Sequence, residues 1–319
     1  MSTATATAHP NIALVKYWGK RDTALNLPAV PSLSLTLDTF TTVTTVTWGA
    51  ASDTARLDGR EATNKEAARI FRFLDVLDPE RPPCTVHSAN DFPTAAGLAS
   101  SSSGFAALAV AAAHACGRDL STQELSVLAR QGSGSACRSL WGGFVEWALG
   151  ERDDGTDSHG IPLAGPEHWD VRMVVAVVSE DKKATGSREA MNRSANTSPY
   201  YDTWLDTAQA DVDAAREAVA ARDLDALGRV MEQSTHKMHA TMTTSWPPVF
   251  YAQPGTLAAI HAVMALRDAG TSAWLTMDAG PNVKVLCRAA DATTVRDALA
   301  QHVDTVHILG PGPAPTVHT

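Results

Sequence analysis

The sequence PTAAGLASSSSG, residues 93–104, leads without a linker into the apolar segment 105–113. Small side chains let a backbone wrap closely around an anion, and a helix that begins there directs unpaired N–H groups and its positive dipole end towards that anion. The composition alone also fits a flexible loop before an ordinary core helix. Because no Gly-Lys-Ser/Thr follows, the segment is not a Walker A loop, and a phosphate site here requires a different kinase fold.

The length and the charge of the chain limit its class. With 319 residues it exceeds what one core usually holds, so two subdomains that share a cleft are expected. A hydrophobic content of 44% and a charged content of 19% are typical of a folded globular protein. The formal net charge of −9 argues against nucleic acid or an anionic membrane as a partner. A phosphate-bearing substrate must therefore meet local cations, for which the candidates are Lys16, Lys20, Arg21, Arg138, Lys182, Lys183, Arg188 and Arg193.

The four cysteines, at positions 84, 116, 137 and 287, lie far apart and form no Cys-x-x-Cys pair. This spacing indicates neither a zinc site nor a disulfide framework, and free thiols suit a reducing compartment. The first eight residues lack the basic and apolar blocks of a signal peptide. No apolar run approaches the roughly 20 residues of a membrane span. We therefore expect a cytoplasmic protein with no membrane partner.

Hydrophobic periodicity predicts a first half that mixes strands and helices. Residues 40–48 and 85–88 are predicted strands, and a helix is predicted to run to about Cys116. A second helix begins at the capping box in residues 121–124, STQE. Residues 144–147 form the next predicted strand.

The later part of the chain changes in character. Residues 150–165 are polar, acidic and rich in glycine, which predicts an exposed loop, and 171–178 is a buried strand. Two helices joined near Arg222 are predicted between 199 and 237. The remaining predicted elements are a helix at 254–270, strands at 273–277 and 283–287, a helix from Ala292 and a strand at 303–309. This half is typical of a small α+β unit with helices on an antiparallel sheet.

Three short segments contain residues that could perform chemistry. Residues 11–20, NIALVKYWGK, place Lys16 and Lys20 around two aromatic residues. From this segment alone, the better interpretation is an early strand whose lysines lie in solvent. Residues 132–139, GSGSACRS, resemble the start of a dinucleotide fingerprint, but Cys137 replaces the third glycine and a helix precedes them, so we reject that site.

Two interpretations of residues 132–139 stay open. They are a helix-linking turn with a surface arginine, or a group of donors whose guanidinium at Arg138 binds a carboxylate or phosphate.

The third segment, TMDAGPN at 276–282, places Asp278 at the end of a predicted strand. Asp278 either caps the following turn or accepts a proton from a substrate hydroxyl during phosphoryl transfer.

Taken together, five segments resemble the diphosphomevalonate decarboxylases of the GHMP kinase superfamily and follow one another in the family's order. They are HPNIALVKYWGK at 9–20, residues 93–103, residues 132–139, MHAT at 238–241, and residues 276–284. The resemblance implies an α+β GHMP kinase fold with its active site in a cleft between two subdomains. Residues 1–180 would form a ribosomal-S5-domain-2-like subdomain, and residues 181–319 a ferredoxin-like α+β subdomain.

The resemblance further implies an ATP-dependent carboxy-lyase of the mevalonate pathway of isoprenoid biosynthesis. In this reaction the tertiary hydroxyl of mevalonate 5-diphosphate is phosphorylated, and loss of phosphate and CO₂ then gives isopentenyl diphosphate. ATP and Mg²⁺ are the implied cofactors, although the sequence offers no carboxylate cluster as metal ligands. A homodimer is also implied.

Residue roles follow from the resemblance by position. Asp278 would orient or deprotonate the hydroxyl, Arg138 would hold the substrate carboxylate, and Lys20 would lie near both. The implied contacts to the substrate or its diphosphate are Tyr17, Lys20, Ser133, Ser135, Arg138, Ser187, Arg188 and Met191. The implied contacts to ATP are Pro93, Ala96, Gly97, Leu98, Ser100, Ser101 and Ser102.

Some positions depart from the family pattern. Cys137 replaces the usual serine, and Thr185 and Gly186 precede Ser187 where other small residues are expected. The closest alternative is a relative that decarboxylates or only phosphorylates mevalonate or its monophosphate. Retention of Arg138 favours decarboxylation, since a kinase has no evident need of a guanidinium on a carboxylate. The pair His236 and His239 is interpreted as structural, because no cysteine or carboxylate motif accompanies it.

Overall fold

The computed structural model describes residues 2–92, 100–181 and 183–318. In this part of the chain the strands are β1 (Ser2–Ala8), β2 (Asn11–Val15), β3 (Lys20–Asp22), β4 (Leu27–Pro28), β5 (Ser32–Thr36), β6 (Thr42–Trp48), β7 (Thr54–Leu57), β8 (Arg60–Glu61), β9 (Cys84–Asn90), β10 (Phe144–Trp147), β11 (Gly160–Ala164), β12 (Val171–Val177), β13 (Ala273–Met277), β14 (Val283–Arg288), β15 (Thr305–Leu309) and β16 (Thr316–His318). The α-helices are α1 (Asn64–Leu77), α2 (Ser100–Ala115), α3 (Thr122–Gly132), α4 (Ser187–Thr197), α5 (Tyr201–Ala221), α6 (Leu224–Thr243), α7 (Pro254–Asp268) and α8 (Ala292–Leu299).

The first sheet has the strand order β16-β1-β6-β9-β7-β8. Its neighbouring strands are antiparallel except β7 and β9, which run parallel. Along β1 and β6, buried residues alternate with more exposed ones, as expected for a sheet with one face on a core. That buried face packs against α2.

Helix α2 is an interior helix. Twelve of its residues are buried, and several of its alanines have no exposed surface. A helix that is apolar on all sides must be enclosed, and α2 lies between the first sheet and the 3-10 helix Gly134–Leu140. The core helix predicted after the serine-rich segment is therefore confirmed, and its described part begins at Ser100.

The remaining large sheets are antiparallel. The second has the order β11-β10-β5-β2, and the third has the order β13-β14-β12-β15. On β12, Val174 and Ala176 pack with α7 and α8, whereas Met173 and Val175 face a core shared with α5, α6 and the second sheet. Because both faces of β12 are buried, its sequence is a continuous apolar run.

Several strands were not predicted from the sequence, and β1 and β11 show why. Strand β1 alternates threonine with alanine, which has a low strand propensity, but it pairs with β6 on one side and β16 on the other. Strand β11 lies inside the predicted loop 150–165 and contains Pro162. Since β11 is at the edge of its sheet, a missing N–H is tolerated there. The capping box at Ser121 and Glu124 is confirmed.

The division after residue 180 stays a prediction. In the structure β12 hydrogen-bonds to β14 and β15, so a cut at 180 would separate it from its own sheet. The chain also returns to the first sheet at its end, because Thr316–His318 pairs with β1. Strand pairing therefore favours a boundary before Val171 and a second subdomain that ends before β16.

Candidate active site

Asp278 lies just after β13 and is held by two lysines. The Nζ atom of Lys16 is 2.7 Å from Oδ1, and the Nζ atom of Lys284 is 2.9 Å from Oδ2. Both lysine side chains are at most 2% exposed, whereas the side chain of Asp278 is 30% exposed. The carboxylate is thus reachable from the cleft, while its two cations are enclosed.

Sheet register and the end of a strand bring these groups together. Thr276 on β13 pairs with Lys284 on β14, so the hairpin returns Lys284 to the end of the strand that precedes Asp278. Lys16 follows β2, and its backbone N–H donates to the hydroxyl of Ser234 on α6 at 3.0 Å. The Nζ atom of Lys16 also donates to the carbonyl oxygen of Ala13 at 2.9 Å. Two sheets and one helix therefore fix the site.

The charges in this group shift one another's pKa values. Burial alone would raise the pKa of Asp278, but attraction to Lys16 and Lys284 outweighs burial and holds that pKa well below its usual range. Burial, opposed by attraction to Asp278 and reinforced by repulsion from Lys284, lowers the pKa of Lys16 to about 8. The aspartate is therefore ionised at every pH at which the protein works.

Arg138 is a buried cation whose hydrogen-bond partners are neutral. It lies in the 3-10 helix Gly134–Leu140 and is 2% exposed. Its Nη2 atom donates to Oδ1 of Asn11 at 3.2 Å, and its Nη1 atom donates to the hydroxyl of Ser32. The guanidinium also lies 5.8 Å from the ring centre of Trp147. Burial lowers the pKa of Arg138, and the nearby charge of Asp278 opposes this shift.

A second group of cations consists of Lys20, Arg69 and Arg188. Burial lowers the pKa of Lys20 to about 8, and repulsion from Arg188 and Arg69 adds to the shift. Arg69 is oriented by donating to the carbonyl oxygen of Gly132 at 2.8 Å. Three mutually repelling cations beside one another form a site suited to a polyanion.

Lys20 reaches this group through an unusual turn. Gly19 has φ +101°, and an added Cβ there would lie 1.8 Å from the hydroxyl oxygen of Tyr201. Only glycine combines this conformation with so close a neighbour. The position of Lys20 near Asp278 and Arg138 stays a prediction: the ion pairs of Asp278 are with Lys16 and Lys284, and the charges that act on Lys20 are those of Arg188 and Arg69.

Tyr17 stands between the two groups of cations. Its hydroxyl is buried and has no hydrogen-bond partner among the described residues. Burial raises the pKa of Tyr17, and Arg138 and Arg188 both act against that rise. Its ring packs on Trp147 with the ring centres 4.7 Å apart. A bound ligand that spans the two groups would supply the missing partner.

The other predicted substrate contacts are distributed around the same cleft. The Ser133 hydroxyl donates to that of Ser101 at 3.1 Å, and the carbonyl oxygen of Ser135 accepts from Asn11 at 2.9 Å. Ser187 is the first residue of α4, which also carries the exposed Arg188. Met191, further along α4, is buried in a cluster with Trp18 and Trp204.

Of the predicted contacts to ATP, Pro93, Ala96, Gly97 and Leu98 lie outside the described residues. Ser100, Ser101 and Ser102 form the first turn of α2. Ser100 and Ser101 line a cavity of about 210 Å³ that Arg69 also borders. Its apolar wall consists of Leu57, Ile70, Val86, Phe105 and Leu108.

Among the described residues, no three histidine, cysteine or acidic side chains come together as a metal-binding group. Both oxygens of Asp278 already accept from lysines. Magnesium bound to a nucleotide usually takes most of its ligands from phosphates and water. The hydroxyls of Ser100 and Ser101, at the start of α2, fit the small share of protein oxygen that such an ion needs.

Sequence reasoning missed Arg69 and Lys284, and it named Lys16 and Lys183 only as local positive charge. Lys16 and Lys284 each adjoin or interrupt an apolar strand, and a lysine in such a run is the signal that could have marked them. Lys183 lies 5.9 Å from the ring of Tyr251 and interacts with Lys284 and Asp278. The two readings that placed lysines and Arg138 at the surface are wrong for Lys16 and Arg138, which are buried.

The polyanion site leads to a prediction with inorganic pyrophosphate. Replacing Lys20 by methionine should weaken pyrophosphate binding by roughly 10- to 100-fold, because a charge-assisted hydrogen bond contributes roughly 1.5–3 kcal/mol. Isothermal titration calorimetry would measure the change. Arg229→Met removes an exposed cation elsewhere, on α6, and should leave binding unchanged. Equal affinity of Lys20→Met and the unmodified chain would contradict this assignment.

None of the helices in the described part of the chain has the length and apolar character that a bilayer crossing requires.

Residues 8–160 match the family model of the diphosphomevalonate decarboxylase-like N-terminal domain. Residues 173–309 match that of the mevalonate 5-diphosphate decarboxylase C-terminal domain. The junction between the models agrees with the boundary that strand pairing favours.

The whole chain has similar relatives. It is 39% identical to diphosphomevalonate decarboxylase mvd1 of Aspergillus fumigatus, over 97% of this chain and 81% of that protein. It superposes on mevalonate diphosphate decarboxylase from Staphylococcus aureus with a TM-score of 0.94 and 36% identity, over 100% and 98% of the two chains. A structure of MDDEF in complex with MVAPP, AMPPCP and magnesium gives a TM-score of 0.93 and 38% identity, over 99% of each chain. The chain therefore belongs to the diphosphomevalonate decarboxylase family of the GHMP kinase fold.

Proposed function

We propose that this chain uses ATP to convert mevalonate 5-diphosphate to isopentenyl diphosphate, ADP, phosphate and CO₂. The observation that carries the proposal is Asp278, a reachable carboxylate kept ionised by two buried lysines in the cleft that also holds Arg138. The similar structure with MVAPP, AMPPCP and magnesium supports ATP and Mg²⁺ as the cofactors.

The first step is transfer of the γ-phosphoryl group to the tertiary hydroxyl. A tertiary alcohol is a hindered nucleophile, so positioning and electrostatic stabilisation must supply most of the acceleration. Asp278 is a weak base because its pKa is held low; it orients the hydroxyl through a hydrogen bond and takes up its proton as the new P–O bond forms and the bond to ADP breaks. Lys16 and Lys284 stabilise negative charge that develops beside the carboxylate.

In the second step the C–O bond to the new phosphate breaks and leaves an electron-poor carbon. The electron pair of the C–C bond to the carboxylate fills it, and CO₂ departs as the alkene forms. The carboxylate must stay ionised and aligned during this step. The planar guanidinium of Arg138, fixed by Asn11 and Ser32, is suited to hold it.

The second cation group is proposed to bind the 5-diphosphate. Lys20, Arg69 and Arg188 offer three positive charges to a group with several negative charges, and this favours a diphosphate over a monophosphate. Tyr17, whose buried hydroxyl lacks a partner, would donate to the same ligand from between the two groups. Ser133, Ser135, Ser187 and Met191 complete the proposed substrate contacts.

The nucleotide is proposed to occupy the cavity at the start of α2. The apolar wall of that cavity suits a base, and the N–H groups of the first helical turn suit phosphate oxygens. Ser100 and Ser101 would offer hydroxyl oxygens to the magnesium, which supplies charge neutralisation of the phosphates when bound. A cytoplasmic location and a homodimer complete the proposal.

Replacing Asp278 by asparagine should lower turnover by roughly 10²–10⁴, with ATP binding nearly intact, because a positioned proton acceptor is lost. The assay supplies ATP with mevalonate that carries zero, one or two 5-phosphates and follows ADP and CO₂ separately. The unmodified chain should release both only with the diphosphate at full rate. Thermal unfolding is the control, since the substitution leaves two buried lysines without their anion. Full activity of the variant would refute the role of Asp278.

Arg138→Lys keeps the positive charge but removes the planar fork. We expect kcat/KM for mevalonate 5-diphosphate to fall roughly 10- to 100-fold, the effect of losing one or two charge-assisted hydrogen bonds. The KM for ATP should change little, because Arg138 donates to Asn11 and Ser32 and does not line the α2 cavity. A variant that loses ATP affinity instead would contradict the proposed contact.

Activity should decline as the pH rises through about 8. Burial lowers the pKa of Lys16 and of Lys20 to about 8, so both are protonated below that pH and lose their charge above it. Loss of charge at Lys16 should lower kcat, and loss at Lys20 should raise the KM for the diphosphate substrate. In Lys20→Arg the cation persists, so the rise in KM should disappear while the decline in kcat remains. A flat profile from pH 7 to 10 would exclude both assignments.

A further inference from the structure

His239 is a half-buried titratable group that the proposed mechanism does not use. It lies on α6 one turn after Ser234 and Thr235, on the side of the helix that faces the cleft. Ser234 accepts the backbone N–H of Lys16 at 3.0 Å, and the Thr235 hydroxyl lies 2.9 Å from that of Thr276. This side of α6 therefore contacts both strands that carry the Lys16 and Asp278 pair.

The imidazole of His239 belongs to the helix that packs against both β2 and β13. It interacts with the carbonyl group of Met277, the residue before Asp278, and with the charges of Lys16 and Asp278. Its Nε2 atom is buried and has no hydrogen-bond partner among the described residues. A buried polar atom without a partner costs roughly 1–3 kcal/mol, so this ring is a poor choice for stability alone.

The environment keeps the ring uncharged. Burial and the nearby Lys16 lower the pKa of His239 to about 4. A neutral imidazole is an uncharged polar neighbour of the ion pair. It adds no cation that would compete with Lys16 for Asp278. The charged groups around Lys16 are then Asp278, Lys284 and Arg138.

We propose that His239 is a positioning residue of the phosphoryl-transfer step, which holds the Met277 peptide and Lys16 so that Asp278 meets the substrate hydroxyl. The inference rests on the proposed function of this cleft. His239 acts through the backbone before Asp278 and through Lys16, and it does not line the cavity proposed for the nucleotide.

The test compares His239→Phe, which keeps an aromatic ring but removes its polar atoms, with His239→Asn, which keeps a neutral donor and acceptor. His239→Phe should lower kcat by about 10- to 100-fold, as a small misplacement of a catalytic group does, with both KM values within about twofold. His239→Asn should recover most of that loss. His236→Phe, at the exposed histidine three residues earlier on the same helix, is the matched control and should behave like the unmodified chain.

A second readout separates positioning from folding. In His239→Phe the decline of kcat at high pH should begin at a lower pH, by about half a unit, because an apolar neighbour further disfavours the charged form of Lys16. A lost contact that only weakened the fold would lower the unfolding temperature without moving this decline. An unshifted profile, unchanged kcat in His239→Phe, or equal losses in both His239 variants would each overturn the inference.

The two proposals fail in different ways. If the unmodified chain releases neither ADP nor CO₂ from ATP and mevalonate 5-diphosphate, the proposed function is wrong. If it is active and His239→Phe matches it in kcat and pH profile, only the role of His239 is wrong.

Discussion

The bridge from Lys16 through Asp278 to Lys284 is the interaction on which the site depends. Two ammonium groups that are at most 2% exposed would be costly to bury alone, and the shared carboxylate offsets this cost. The same bridge keeps Asp278 ionised while leaving it open to the cleft. One interaction thus stabilises the junction of two sheets and prepares the reacting group.

The chain has a net charge of −9, so it has no overall excess of positive charge to attract a polyanion. The proposed polyanion site depends instead on cations that are clustered locally. Arg138 and the two lysines surround the place of the hydroxyl and carboxylate, and Lys20, Arg69 and Arg188 form a separate group. Tyr17 lies between them with an unsatisfied hydroxyl. This separation matches the proposed substrate, which carries a carboxylate at one end and phosphates at the other.

Helix α6 supports the site through hydrogen bonds to Lys16 and Thr276. Ser234 and Thr235 hold the two strand ends through hydroxyl contacts, and His239 fills the space beside the ion pair. Polar groups in this position are costly to keep without full hydrogen bonding. Their presence indicates that the geometry of the cleft, and not only the stability of the fold, determines the residues on this helix.

The sequence by itself determined the elements with strong periodicity and the family. Residues 144–147 and 273–277 are strands at the predicted bounds, and the junction of two helices at Arg222 is where it was expected. The roles of Asp278 and Arg138 could be proposed because short segments preserve a recognisable order. These inferences need only the local sequence, because hydrophobic periodicity and short motifs depend on residues that are close together in the chain.

Only the tertiary structure decided which charges meet. Lys16 and Lys284 are 268 positions apart in the chain; strand pairing brings Lys284 to Asp278, and packing of two sheets against α6 brings Lys16. The charges that act on Lys20 are those of Arg188 and Arg69. Strands β1 and β11 form because partners far along the chain or at a sheet edge complete their hydrogen bonds. The burial of a lysine and the partner of a strand depend on contacts between distant segments, and these are settled when the sheets and α6 pack together.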